Sequence, residues 1–308
     1  MKLVWIKPFI LVSVIVFSVL FRYTNYNFDD LWYDEVISFW IANPNYSLID
    51  SFNNHNLIEV NSYAYHFILK IFFGFFGYSV DAGRLFSVFF GVLSIFSTAY
   101  LVRYLAKDNS YFLAIFLIGF NVYLIGYSQE MRVYSLMYFF SSLSLIFFFK
   151  TLFEEKKLIH IICFNLFNLT NVLLHPFSLL IVFSYLTYLF LFFIKNRNLN
   201  TSLLVSLLLT CLIAAIFYYQ SLLLAFDNSA EYFWMTNPKL SFYTNYYFSS
   251  FFGSRLLGII FLFTFLFFVL QNFKIISSIN YLTVLLIIIL LSYVLPLTYG
   301  YLFRPIFT

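Results

Sequence analysis

Most of the chain consists of long apolar runs that are separated by short polar segments. A helix that crosses a bilayer needs about 20 mostly apolar residues, and most of the runs approach this length. We therefore predict an all-α polytopic membrane protein with nine transmembrane helices. The predicted spans are 3–21, 84–102, 111–128, 133–149, 158–174, 177–194, 202–224, 255–272 and 280–298.

A further apolar run, 63–77, is predicted not to cross the membrane. It reads YAYHFILKIFFGFFG and is interrupted by His66 and Lys70. It is short for a span, and an ionised lysine near the bilayer centre costs about 2.5 kcal/mol or more. We expect this run to form an amphipathic helix that lies in the interface, within the long first loop 22–83.

The distribution of charged residues predicts the orientation of the chain. With 63–77 lying flat, the side that holds the N-terminus carries many basic residues and only the acids Asp108, Glu154 and Glu155. The basic residues on that side are Lys2, Lys7, Arg103, Lys107, Lys150, Lys156, Lys157, Lys195, Arg197 and Lys274. Because loops rich in lysine and arginine stay in the cytoplasm, we expect a cytoplasmic N-terminus in the cell (inner) membrane. The first run lacks small residues at its end, which favours an uncleaved span over a signal peptide.

The composition excludes the water-soluble classes of protein. Of the 308 residues, 63% are hydrophobic and 10% are charged, whereas soluble domains carry about 25% charged residues. Nucleic acid is therefore not expected as a partner. Cys163 and Cys211 lie in apolar runs, and the four histidines lack metal-ligand spacing. No cofactor is predicted, and a divalent metal at the acids stays an open alternative.

Three motifs place ionisable groups on the predicted outer face. LWYDEVISFW holds Asp34 and Glu35 between aromatic residues, DAGRLFSVFFG holds Arg84, and IGYSQEMRVYSL holds Glu130 and Arg132 between two spans. Each has a structural interpretation: a helix start rich in acids, an interface anchor, and a polar turn. Each also has a functional one, because ionisable groups at the edge of a helix bundle cluster at sites and arginine suits phosphate oxygens.

The order of these motifs resembles the C-fold (GT-C) membrane glycosyltransferases, in the branch of the protein O-mannosyltransferases and lipid A aminoarabinose transferases. LWYDE, an interfacial segment ending in FG, RLFSVFFGVLSI and YSQEMRVYSL follow one another over roughly residues 1–150. NVLLHPFSLLIV with His175, EYFWMTNPKL, and YGYLFRPIF with Arg304 match later features loosely. The family often carries a His-Pro-Pro signature, which here is replaced by NNHNLIEVNSYAYHF.

The resemblance implies a polyprenyl-phosphate-linked sugar as donor and transfer on the extracytoplasmic face, usually with inversion. It implies that the first-loop aspartate, here Asp34, is the catalytic base, since a carboxylate can take the proton of an acceptor hydroxyl. Cationic side chains would stabilise the leaving phosphate. The candidates for this role are Arg84, Arg132 and Arg304, with Lys70 behind them. The expected substrate-binding residues are Glu35, His55, Glu59, Arg84, Glu130, Arg132, Tyr134, His175 and Arg304. The acceptor is a lipid, a glycan or a protein, and membrane lipid surrounds the chain.

Two other functions stay open at this point: a transporter or flippase of lipid-linked sugars, and an inactive scaffolding relative. A transporter places ionisable groups near the bilayer midplane, whereas the predicted spans contain no internal carboxylate. The sequence predicts one domain over residues 1–308. The family pattern usually continues past this point, so a C-terminally truncated chain is one interpretation of its end.

Overall fold

The computed structural model is helical throughout the part of the chain that it describes. It describes residues 6–27, 29–59, 62–106, 109–154, 157–227, 240–245, 252–277 and 279–302. No β-strand occurs among these residues, which confirms the predicted helical fold class. The helices are α1 (Ile6–Tyr23), α2 (Tyr33–Ile41), α3 (Leu48–Ile58), α4 (Ala64–Phe76), α5 (Val80–Ala106), α6 (Tyr111–Gly119), α7 (Val122–Gln129), α8 (Tyr134–Phe153), α9 (Leu158–Leu174), α10 (Leu179–Asn196), α11 (Thr201–Asp227), α12 (Leu240–Asn245), α13 (Arg255–Gln271), α14 (Phe273–Ser277) and α15 (Tyr281–Leu302).

Helices occupy all nine stretches in which spans are predicted, but they differ in length. In the described part of the chain, four segments are long and apolar enough to cross a membrane: Val80–Ala106, Tyr134–Phe153, Pro176–Asn196 and Thr201–Tyr219. α6 and α7 qualify only as a pair, bent by 59° at their junction, which makes five if they form one broken span. The apolar helical stretches Phe9–Tyr23, Leu158–Leu174, Arg255–Gln271 and Tyr281–Pro296 are shorter. The described residues therefore hold four or five candidate spans, and nine stays a prediction.

The first of two compact units comprises Met1–Ile146 and Leu173–His175. In it, α1 packs on α5, α6 and α7. A Cβ atom on Gly119 would lie 2.1 Å from Ser18 Oγ, and one on Gly91 would lie 2.5 Å from Ser128 Cβ. Small residues let helices in lipid approach closely and gain van der Waals contact. These contacts hold α6 against α1 and α7 against α5, and the second contact positions the turn at 130–133.

Polar side chains close the helix ends where the bent pair meets α1. The last carbonyl groups of a helix lack partners within it. Arg22 of α1 donates from Nη1 to the carbonyl of Gly119 at 2.8 Å and from Nη2 to that of Ile118 at 2.9 Å, at the end of α6. The two N–H groups of the side-chain amide of Gln129, the last residue of α7, are shared among three carbonyl groups at the end of α1. The break between α6 and α7 is thus stabilised by specific hydrogen bonds.

The loop 22–83 contains three helices, although the sequence predicts only α4. α4 has one buried face and one exposed face. Its buried residues are Tyr65, His66, Leu69, Lys70 and Phe73, and its exposed large residues are Phe67, Ile71, Phe75 and Phe76. The exposed face is apolar and the buried face holds the polar groups, which suits a helix that meets lipid rather than water.

The second compact unit comprises Phe147–Val172 and Pro176–Thr308, and in it α10 packs on α11 and α15. The ring of Phe148 stacks on that of Tyr185 with a centroid separation of 4.2 Å. The hydroxyl of Tyr218 donates to the carbonyl of Val172 at 2.7 Å. Hydrogen bonds of this kind join apolar helices to one another. This unit includes one predicted site residue, Arg304, which lies outside the described residues.

Candidate active site

The adjacent acids Asp34 and Glu35 begin α2 and face different surroundings. Both lie in its first turn, where the helix dipole favours negative side chains. Neighbouring residues on a helix differ by about 100° around its axis. Glu35 is fully buried, whereas the side chain of Asp34 is 33% exposed. The two acids therefore do mark the start of a helix, as one interpretation of the sequence predicts. Because one carboxylate is buried and the other is partly exposed, they can have different roles.

Glu35 forms a buried ion pair with Arg84, which lies in the first turns of α5. Arg84 donates from Nε to Glu35 Oε1 at 3.0 Å and from Nη2 to Oε2 at 2.7 Å. The backbone N–H of Met131 donates to the same Oε1 at 2.7 Å. The pair therefore joins α2, α5 and the turn before α8 in one hydrogen-bonded unit.

The other N–H groups of Arg84 are also occupied. Nη1 donates to the carbonyls of Tyr26 and Asp29 at 3.1 and 2.8 Å, and Nη2 donates to that of Asp30 at 3.3 Å. A guanidinium has five N–H donors, so all of the donors of Arg84 bind acceptors within the chain. From the sequence, Arg84 is expected to bind a substrate phosphate, but in this conformation it has no unused N–H donor for one. Arg84 therefore holds the segment before α2 in place through these backbone carbonyls, and it forms its ion pair with Glu35.

The accessible carboxylate, Asp34, pairs with Arg132 in the turn between α7 and α8. Arg132 Nη2 lies 3.1 Å from Asp34 Oδ2, and Nη1 donates to the backbone carbonyl of Asp34 at 3.2 Å. The guanidinium carbon also lies 5.9 Å from the centre of the Trp32 ring. Folding thus brings the first and third sequence motifs into direct contact.

A second carboxylate, Glu59, faces the same guanidinium. Its Oε1 lies 3.5 Å from Arg132 Nη1, and Ser38 Oγ lies 3.3 Å from that nitrogen. These contacts are longer than a strong hydrogen bond, and Arg132 Nε has no hydrogen-bond partner within the described ranges. Burial opposes ionisation of Arg132, but the nearby carboxylates outweigh it and raise its pKa. Arg132 is therefore a permanent cation with donor capacity to spare.

Glu130 shares this turn but has a different electrostatic environment. Burial, followed by the charge of Glu35, raises the pKa of Glu130 to about 7, although Arg132 and Arg84 act in the opposite direction. Glu130 Oε2 has no hydrogen-bond partner among the residues that the structure describes. This carboxyl group therefore changes its protonation near neutral pH, where a proton-transferring group is most useful.

Tyr134 and His175 lie in the electrostatic neighbourhood of Arg132. Tyr134, the first residue of α8, interacts electrostatically with the guanidinium. Burial, reinforced by the charge of Arg132, lowers the pKa of His175 to about 4. His175 is therefore a neutral imidazole at physiological pH. Arg132 is thus the centre around which Asp34, Glu59, Glu130, Tyr134 and His175 gather.

His55 pairs with His66, a residue that the sequence presents only as an interruption of an apolar run. The two Nδ1 atoms lie 3.2 Å apart, and both rings are buried. Burial, followed by the charges of His55 and Arg132, holds the pKa of His66 well below its usual value. A signal for His66 was available, because it shares the inward face of α4 with Leu69 and Phe73.

Lys70, the reserve phosphate contact, binds a loop instead. Its Nζ donates to the carbonyls of Asn43 and Tyr46, the latter at 2.8 Å. Burial lowers the pKa of Lys70. These carbonyls lie between α2 and α3, so Lys70 ties α4 to the two preceding helices. Its role in this conformation is structural.

Other chemistry is limited in the described part of the chain. There, no three His, Cys, Asp or Glu side chains are arranged to hold a metal ion. Cys163 and Cys211 are free thiols. Arg304, the last predicted substrate contact, lies outside the described residues, and the site is built without it.

Comparison with known proteins supplies no relative from which a function can be transferred. No protein-family model matches the chain, no curated protein is similar to it, and no solved structure matches it. The functional argument therefore rests on the geometry around Arg132 and on the chemistry of the motifs.

Proposed function

We propose that the chain is an integral-membrane glycosyltransferase that moves a sugar from a polyprenyl-phosphate donor to an acceptor hydroxyl. One observation carries this proposal: the partly exposed carboxylate of Asp34 lies against the largely buried guanidinium of Arg132. A proton acceptor and a cation held together are the two groups that this reaction needs. The motif resemblance independently assigns the base to Asp34.

The reaction is a single displacement at the anomeric carbon. The acceptor oxygen forms a bond to that carbon while the bond to the phosphate oxygen breaks, and the electron pair leaves with polyprenyl phosphate. Asp34 takes the proton of the acceptor hydroxyl as the new bond forms. Attack opposite to the leaving group inverts the configuration of the sugar.

Arg132 is the group that we assign to the leaving phosphate. Its Nε has no partner in the described residues, and its Nη1 contacts are long. These donors allow the guanidinium to meet the negative charge that grows on the phosphate. Arg84, whose five donors are occupied, holds Glu35 and the preceding loop in place. Glu59 and Tyr134 orient Arg132.

The proposal includes a topology. Nine spans place the N-terminus in the cytoplasm and put the cluster at the extracytoplasmic face. The basic inner loops support this orientation. All nine predicted stretches are helical, and the apolar exposed face of α4 supports its place in the interface. The ionisable groups of the cluster lie at helix ends and turns, which favours a surface enzyme over a transporter with a midplane site.

The test is sugar transfer by purified protein in sealed vesicles. Asp34→Asn keeps the size of the side chain and removes its basicity, so we expect the rate to fall about 100-fold or more. Asp50→Asn is the matched control, because Asp50 is exposed at the start of α3 and bonds Ser47. The labelled polyprenyl-phosphate sugars are added from the outside of right-side-out vesicles.

Two results would overturn the proposal. Full transfer by Asp34→Asn, at wild-type stability, would remove Asp34 as the base. Absence of transfer by the wild-type protein with every donor tested would remove the enzymatic function. Uptake of the labelled lipid without transfer would instead indicate a flippase.

A further inference from the structure

The buried pair of His55 and His66 leaves one polar atom without a partner. The two Nδ1 atoms are 3.2 Å apart, so one ring donates a proton and the other accepts it. His66 is 3% exposed, and its Nε2 has no hydrogen-bond partner in the ranges that the structure describes. A buried polar atom without a hydrogen bond costs about 1–3 kcal/mol. The fold therefore retains an unfavourable group at this position.

The same neighbourhood holds further atoms without a hydrogen-bond partner among the described residues, including Arg132 Nε and Glu130 Oε2. The histidine pair adjoins Arg132 through Glu59, whose backbone N–H donates to the carbonyl of His55 at 2.8 Å and whose Oε1 lies 3.5 Å from Arg132 Nη1. Glu130 lies in the same turn as Arg132, whose backbone N–H donates to the carbonyl of Glu130 at 2.8 Å. Buried polar atoms are rarely left unpaired in native proteins, and an exception calls for an explanation such as a missing ligand. Together with His66 Nε2, these atoms in one cluster indicate a place prepared for a polar molecule.

We propose that His66 Nε2 binds a hydroxyl group of the donor sugar, and that His55 positions the His66 ring for this contact through the Nδ1 atoms. This proposal rests on the function proposed above. His66 is a specificity-determining residue on this assignment, and His55 is a positioning residue. Because Nε2 is covered in the structure, sugar entry displaces a neighbouring side chain.

The choice of a hydroxyl group follows from the hydrogen-bonding chemistry of the pair. If His66 donates its Nδ1 proton to His55, its Nε2 is an acceptor; if His55 donates, Nε2–H of His66 is a donor. A hydroxyl group can satisfy either tautomer, since it both donates and accepts. A phosphate oxygen, which only accepts hydrogen bonds, satisfies only one of the two tautomers. A metal ion is disfavoured by the positive charge of Arg132 close to His66.

Asparagine and glutamine each carry an amide that can take the place of one ring nitrogen of histidine. Substituting each of them for His66 therefore separates the contribution of Nδ1 from that of Nε2. In His66→Asn the amide lies near the position of Nδ1, so the contact with His55 is kept and the Nε2 group is lost. In His66→Gln the amide reaches the position of Nε2. His160→Asn is the matched control, since His160 is a buried histidine in the second unit.

The experiment measures binding to purified full-length protein in lipid nanodiscs. The probes are bare polyprenyl phosphate and polyprenyl phosphate that carries mannose, glucose or arabinose. For the sugar lipid that binds best, we expect His66→Asn to weaken affinity about threefold to tenfold, the value of one hydrogen bond. We expect unchanged affinity for the bare lipid, near wild-type binding of the sugar lipid by His66→Gln, and no effect of His160→Asn.

Each other outcome refutes the assignment in a recognisable way. Equal weakening for both lipids by His66→Asn would mean a phosphate contact or a damaged fold. Unchanged affinity for both lipids would exclude the donor sugar as the partner of His66. Equal defects in His66→Gln and His66→Asn would exclude Nε2. If the wild-type protein binds none of the lipids, the proposed function itself fails.

Discussion

The ion pair of Glu35 and Arg84 provides the sharpest test of how the site is held together. The side chains are 1% and 5% exposed, so solvent cannot replace either partner. Arg84→Met leaves the carboxylate of Glu35 buried without its cation. Removing one member of a buried pair typically costs about 3–5 kcal/mol. We expect Arg84→Met to lower the free energy of unfolding by that amount.

The double variant Glu35→Leu/Arg84→Met tests the cause of this loss. It removes both charges, so the remaining cost is that of unpaired backbone groups and altered packing. We expect it to be more stable than the sum of the two single changes implies, with a coupling of about 2–3 kcal/mol. Unfolding in mixed detergent and sodium dodecyl sulfate micelles, followed by circular dichroism, measures each free energy.

Arg103→Met is the matched control for loss of an arginine. Arg103 is exposed near the end of α5, where it lies over the Tyr111 ring. We expect this change to cost less than about 1 kcal/mol. If Arg84→Met costs no more than Arg103→Met, or if the double variant shows no coupling, the buried pair does not fasten α2 to α5 as described.

Two further predictions concern the turn at 130–133 and the helix pair that positions it. The pKa of Glu130 rises from 4.5 to about 7 on folding, so its stabilising contribution is complete below pH 4.5 and is lost as the pH rises through 7. Glu130→Gln should therefore flatten the pH dependence of unfolding between pH 4.5 and 7, and an unchanged slope would contradict the shift. Gly119→Ala should destabilise by about 1–3 kcal/mol, because its Cβ would lie 2.1 Å from Ser18 Oγ. Ser18→Gly in the same chain should restore stability in thermal unfolding, and failure to do so would place the cost elsewhere.

The sequence by itself determined the helical class and most helix positions. Apolar runs that are too long for loops must satisfy their backbone groups internally when they lie in lipid, and a helix does so locally. It also identified Asp34 and Arg132 as chemical groups, because charged residues beside apolar runs stand out. The sequence offered a helix start at Asp34 and Glu35 only as one interpretation, and it did not predict α3, since these short polar and aromatic segments carry no strong period.

Only the tertiary structure decided which of these groups are available for chemistry. Asp34 and Glu35 are adjacent acids in one helical turn, yet only Asp34 stays accessible. Glu35 is buried because it pairs with Arg84 of α5. The sequence presents Arg84 and Arg132 as equally good candidates for a phosphate contact. They differ in free donors, because Arg84 donates to five acceptor atoms whereas Arg132 Nε has no partner among the described residues. His66 became a candidate only through its contact with His55, which lies on another helix. Each result depends on groups brought together from distant parts of the chain, and local sequence patterns do not encode such distances.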